Sequence, residues 1–172
     1  MVTLRGTLLL GTVLVALAGY LWLGDSRPGA ARTVSADAPA LLAVPTTQVA
    51  LLELEAEDRT VSAVRGAHGW TDTNGRPWGG DAVGDVVDAL GSLRPVMVVD
   101  PEPSNPADYG LGAGAVHLRL LGADGRSLAA LELGERNPAW TGLYARVGGA
   151  REVVLIGAVL HWELEKLREA AP

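Results

Sequence analysis

The sequence contains no cysteine and no phenylalanine. Without cysteine, a disulfide framework, a thiolate metal site, a cysteine nucleophile and a lipidated N-terminal cysteine are all excluded. Positive charge is sparse. Lysine occurs only at Lys166, and the arginines are scattered singly. Nucleic-acid binding uses clustered basic residues to displace phosphate counterions. The formal net charge is −6, so no nucleic-acid partner is expected. Histidine is rare too: His68 sits in a Gly-flanked turn, His117 on the outer face of a strand and His161 on a helix. None has the spacing of a metal-ligand pair, so neither metal nor cofactor is expected. Ser62, Ser92, Ser104 and Ser127 lack the strand–turn–helix context of a nucleophile elbow. Gly110-x-Gly112-x-Gly114 precedes a strand and not a helix, so it reads as turn chemistry rather than a dinucleotide loop. No pattern in the chain marks a catalytic residue.

One long apolar run is present. Residues Gly6 to Leu23 read GTLLLGTVLVALAGYLWL, with no charge over 18 residues. A membrane span needs about 20 apolar residues, within a range of about 17–25. Tyr20 and Trp22 close the run, where amphipathic rings favour the membrane interface. A cleaved signal peptide is the rival reading, since Arg5 supplies a basic start. Signal cores, however, are usually about 7–15 residues with a small-residue cleavage site behind them. The Tyr-Leu-Trp-Leu end does not fit one. Residues 1–23 therefore read as a transmembrane anchor that is retained. The simplest insertion leaves the N-terminus in the cytoplasm and exports the rest. That makes the chain a single-pass protein of the cell inner membrane with a periplasmic domain, and the bilayer is its first partner.

Residues 24–46 are rich in Ala, Pro, Gly and Ser and read as an extended linker, with Leu41, Leu42 and Val44 free to dock on the domain behind it. Residues 47–172 read as one soluble domain of about 125 residues, enough for a single core. Gln48 to Glu55 alternates like a strand, although helix is an alternative for such a Leu/Glu/Ala run. Asp58-Arg59 and the β-branched Thr60–Arg65 favour a hairpin. A third short strand is centred on Trp70. Val83, Val86, Val87, Leu90 and Leu93 then recur at helical spacing behind a candidate N-cap, Asp81. Arg94 to Val99 is a strand, and Pro106 to Leu111 a single helical turn closed by a left-handed Gly110. Two hairpins come next, turning at Asp124-Gly125 and at Gly148-Gly149. Ala158 to Ala170 is a helix with a Leu160/Leu164/Leu167 stripe. The predicted class is α+β: a mostly antiparallel sheet in the order βββ-α-β-ββββ-α, with two covering helices.

Among the polar residues, Glu53 and Glu55 share a strand face. Paired carboxylates are what glycoside hydrolysis uses, but adjacent acids on an open sheet face are usually solvated. Asp81, Asp85 and Asp88 recur on one helix face without the ligand rhythm of a Ca²⁺ loop. Tryptophans offer more. Trp78 and Trp140 lie in Pro/Gly loops, and exposed rings there, with Tyr144 nearby, would form an interaction surface. The bland alternative is that each packs at a core edge, with Trp78 stapling the helix behind it.

The stretch Asn105–Ile156 carries an "xYGL" turn, a hairpin closed by "DGR", an "LG" step, then "YARV" and an aliphatic strand. In these features it resembles the bacterial domain-of-unknown-function family 4340. Trp70, the acid-preceded helix and Val96–Asp100 fit the front half of the same repeat. The family has no established catalytic residues. Its members often occur beside components of ABC-type transporters, so the resemblance implies a membrane-tethered, non-enzymatic accessory domain with a transporter component as protein partner. The alternative is an extracytoplasmic domain that binds a glycan or envelope polymer through Trp78 and Trp140.

Overall fold

The computed structural model describes residues 13–16, 18, 19, 31–35, 38–56 and 59–172. Tyr20, Trp22 and most of the 6–23 run lie outside these, although residues 13–16, 18 and 19 are helical. Among the described residues no helix is long and apolar enough to cross a membrane. The chain divides into two units, Met1–Ala30 and Ala31–Pro172. All strands described belong to the second.

Alternating residues build a sheet of nine strands among the described residues: β1 (Arg32–Thr33), β2 (Leu51–Ala56), β3 (Arg59–Gly66), β4 (Gly69–Thr71), β5 (Pro95–Asp100), β6 (Val116–Leu121), β7 (Ser127–Arg136), β8 (Gly142–Val147) and β9 (Val153–Gly157). Helix α1 (Ala82–Gly91) separates β4 from β5, and α2 (Val159–Glu169) comes after β9. The strands lie in the order β1-β5-β9-β8-β7-β6-β2-β3-β4. Every pairing is antiparallel. The fold is α+β, as the alternating and helical periodicities predict.

The element order differs from the expected βββ-α-β-ββββ-α by one strand. β1 lies within the 24–46 segment read as linker. Two polar residues carry no periodicity, and what orders them is distant: Arg32 and Thr33 pair with Val98 and Met97 on the free edge of β5. The same segment buries Leu42 and packs Leu41 and Val44 against the core. It then makes a 3₁₀ turn at Thr46–Gln48, where the sequence suggested that the first full strand was starting.

One sheet face carries the main core. Leu52, Leu54, Leu118, Leu120, Leu131, Leu133, Ala145, Val154 and Ile156 meet Val83, Val86, Val87 and Leu90 of α1 and Leu160 and Leu167 of α2. The predicted stripes are thus the buried ones. Asp81 holds the N-cap position of α1, yet its side chain makes no capping bond. Its backbone (φ −109°, ψ 23°) lies away from the extended region that aims a cap oxygen at the first amides. Asp85 and Asp88 are exposed on the outer side of α1. The β6–β7 connection runs from Gly122 to Arg126, longer than a two-residue turn. A bulge at Leu120/Leu121 shifts the register there.

Candidate functional site

The second sheet face is half covered. Pro106 fixes the first turn of a short 3₁₀ helix, Pro106–Tyr109, whose N-cap Asn105 accepts a bond from the Ala107 amide at 3.3 Å. Gly110 closes it in the left-handed region (φ 69°), a conformation that glycine adopts without a side-chain penalty. The loop then lies on β7. A Cβ on Gly134 would strike the carbonyl oxygen of Tyr109, and one on Gly110 would strike Glu135. The "YGL" turn and the "LG" step are therefore two halves of one backbone-to-backbone contact. Leu111, Ala115, Val153 and Leu155 are buried on this side, apart from the main core.

Tyr109 anchors the loop. Its hydroxyl donates to Asp100 Oδ2 at 2.9 Å, and its ring meets Tyr144 edge-on, 5.2 Å between centroids at 71°. Tyr144 is thus half-buried under the loop rather than free on a surface. Desolvation, with the accepting Asp100 carboxylate next, pushes the Tyr109 phenol up to about 12 from its ordinary 10.0. The folded value lies above the unfolded one. The stabilisation is therefore present below pH 10 and is lost as pH rises through about 12. A phenolate absorbance titration is expected to show one tyrosine ionising near pH 12. Asp100→Asn should bring that step down. A step unmoved by Asp100→Asn would remove the carboxylate as its cause.

The uncovered half of this face is polar and strongly cross-linked. Glu55 lies opposite His117, His117 opposite Glu132 and Glu132 opposite Arg146, in one row across β2, β6, β7 and β8. Glu132 is held from two sides: it accepts from the Gly112 amide at 2.8 Å and from Arg146 Nε at 2.7 Å. In the next row Glu53 faces Arg119, 3.2 Å apart. Glu55, His117, Arg119, Ala130, Glu132 and Gly148 line a shallow depression of about 290 Å³. Glu53 and Glu55 therefore sit on an open, charge-paired sheet surface, without the flanking-cleft geometry of a carboxylate pair in glycoside hydrolysis.

The two loop tryptophans part company. Trp78 is 7% exposed and belongs to the main core. The loop folds back on itself: Thr71 bridges Pro77, and the Trp78 amide donates to the Trp70 carbonyl at 3.0 Å. Trp78 thus packs at the core, as the core-edge reading has it, and the alternative Trp78/Trp140 platform does not form. Trp140, by contrast, is 72% exposed. Its φ of 59° is the only positive value at a non-glycine position among the described residues, a costly conformation for a bulky side chain. Asn137 enforces it. The Asn137 Oδ1 accepts from the Thr141 and Gly142 amides at 2.9 and 3.2 Å, and its Nδ2 donates to Thr141 Oγ1 at 3.0 Å.

Trp140 is not alone. The Arg136 guanidinium lies 5.3 Å from its ring centroid and also contacts the His161 ring. His161 meets Trp162 edge-on at 5.6 Å. Trp162 and Val159, one turn apart on α2, are 57% and 65% exposed. Trp140, Arg136, His161, Trp162 and Val159 thus form an aromatic end of the domain at the C-terminal end of β7, beyond the polar depression that Ala130 and Glu132 line. The Arg136/Trp140 pairing at i,i+4 around Pro138 was a readable signal. Its union with His161 and Trp162 is a long-range contact that no local pattern encodes. His68 and His117 lie elsewhere, in the β3–β4 turn and on the polar face.

A family model described as a domain of unknown function (DUF4340) matches residues 74–170, more than half of the chain. The matched span holds α1, β5 to β9 and α2. No curated protein matches the chain, and no solved structure does.

Proposed function

The chain belongs to the DUF4340 family, and we propose that it serves as a membrane-tethered, non-enzymatic accessory domain binding a protein partner in the membrane. The uncovered half of the second sheet face carries this reading. Its charges are pre-positioned by cross-strand pairs, Glu132 with Arg146 and Glu53 with Arg119. Glu55 and the half-exposed Arg119 remain open to a complementary surface. Fixed and alternating charges of this kind select a partner and set its register more than they add raw affinity. The apolar run 6–23 supplies the tether. The domain then lies outside the cytoplasmic face of the inner membrane, and the resemblance points to an ABC-type transporter component as the partner.

The test is photo-crosslinking in intact membranes. A crosslinker at Glu55 is expected to yield an adduct with a membrane-embedded transporter component. A crosslinker at Asp88, on the outer side of α1, should not. Charge reversal at Arg119 should abolish the Glu55 adduct. Equal labelling from both positions, or none from either, would count against the polar face as the docking surface.

A further inference from the structure

The aromatic end has a chemistry distinct from that of the polar face. Trp140 and Trp162 expose most of their rings, and Val159 extends the apolar surface along α2. Arg136 lies beneath Trp140, and no carboxylate pairs with it among the described residues. The Asn137 bonds hold the tip rigid, so the exposed indole is part of the folded design rather than a flexible accident. An indole is amphipathic: its body favours an apolar medium and its N–H a polar one. The headgroup layer of a bilayer offers both within a few ångströms. A guanidinium that has no carboxylate partner, with one arm on the His161 ring, is matched by lipid phosphate through its remaining N–H groups.

We propose that the Trp140–Trp162 end of the domain rests on the bilayer, both indoles at the headgroup level and Arg136 on a lipid phosphate. The inference depends on the tether proposed above. β1 begins at Arg32, so about eight residues separate it from the apolar run, and they confine the domain within about 30 Å of the membrane. At that proximity even a weak interfacial affinity is populated, because the second contact is intramolecular. The chain as a whole is acidic, and His161 is paired with Glu165 at 3.2 Å. Binding therefore rests on the indoles rather than on anionic lipid, and its salt dependence is weak. Contact at this end leaves the polar half-face of the sheet free for a protein.

The experiment uses the full chain in vesicles of zwitterionic phosphatidylcholine with brominated acyl chains. Trp22→Phe removes the indole of the apolar run, and the buried Trp70 and Trp78 remain as internal references. The expected result is quenching of tryptophan emission on top of co-flotation with the vesicles. Trp140→Gly, which also relieves the left-handed backbone, and Trp162→Ala should each remove about half of the quenching, with circular dichroism unchanged. Vesicles with anionic lipid added should give the same quenching at low and high salt. A chain that floats with the vesicles but is not quenched keeps the tether and overturns the inference. A chain that fails to float overturns both. Emission unmoved by brominated lipid, yet shifted by N-acetylglucosamine oligomers or by raising the protein concentration alone, assigns the rings to a glycan or to a second copy. Either result overturns the inference.

Discussion

Gly134→Ala is expected to destabilise the domain by about 3 kcal/mol or more. The reason lies in the contact between the Tyr109–Leu111 loop and β7. At Gly134 a methyl group would meet the Tyr109 carbonyl oxygen, the Gly110 carbonyl carbon at 3.1 Å and Leu111 Cδ2 at 3.1 Å. Two of these neighbours are backbone atoms, so no rotamer change relieves the clash. The loop must lift, and lifting it breaks the Tyr109–Asp100 and Gly112–Glu132 bonds and exposes Leu111. Gly114→Ala is the control, because nothing lies within 4 Å of its added Cβ and its φ is not positive. Urea unfolding followed by circular dichroism should show a large fall in midpoint for Gly134→Ala and little for Gly114→Ala, with similar slopes. Equal midpoints for the two variants would mean that the loop does not hold the face as described.

Trp78 carries the second large effect. Trp78→Ala is expected to cost about 3–5 kcal/mol, the usual range for emptying a buried aromatic site. Trp78→Phe should cost far less. The Trp78 Nε1 is buried without a hydrogen-bond partner among the described residues. Removing it therefore removes a desolvated donor and leaves most of the ring volume in place. Thermal unfolding of the two variants checks the contrast. If Phe proves as damaging as Ala, the indole N–H has a partner that matters. Neither outcome resembles that of Trp140, whose exposed ring contributes little to the core.

Much of this fold was legible from local periodicity. The alternation in Val116–Leu120 and Leu131–Leu133 places the correct side chains on the helix-covered face. The α1 and α2 stripes are the buried ones. Gly110, after a proline-led turn, is a left-handed cap because only the end of a short helical turn explains its position. The parts that were not legible depend on partners far along the chain. β1 is two polar residues that become a strand only because β5 presents an unpaired edge. Trp78 sits in a glycine-rich loop for which local pattern offers both an exposed ring and a core-edge staple, and the Thr71–Pro77 bridge that folds the loop inward decides for the second. The aromatic end joins a hairpin tip to the last helix, so its members share no window of sequence. Charge pairing on the polar face is a product of register. Glu132 and Arg146 meet only because β7 and β8 pair as they do.

The strand order also fixes a timetable. β2 leaves the ribosome well before β6, its neighbour on the inner side, and β5 well before β9. The run β6 to β9 is a meander of adjacent partners that can close as it emerges. Until then the early strands hold unpaired edges, and the apolar side of α1 has no second helix against it. α2, which supplies Leu160 and Leu167, is made after every strand described. The nascent chain is thus expected to bind holding chaperones until α2 has emerged, and termination within α2 should yield a species degraded rather than folded.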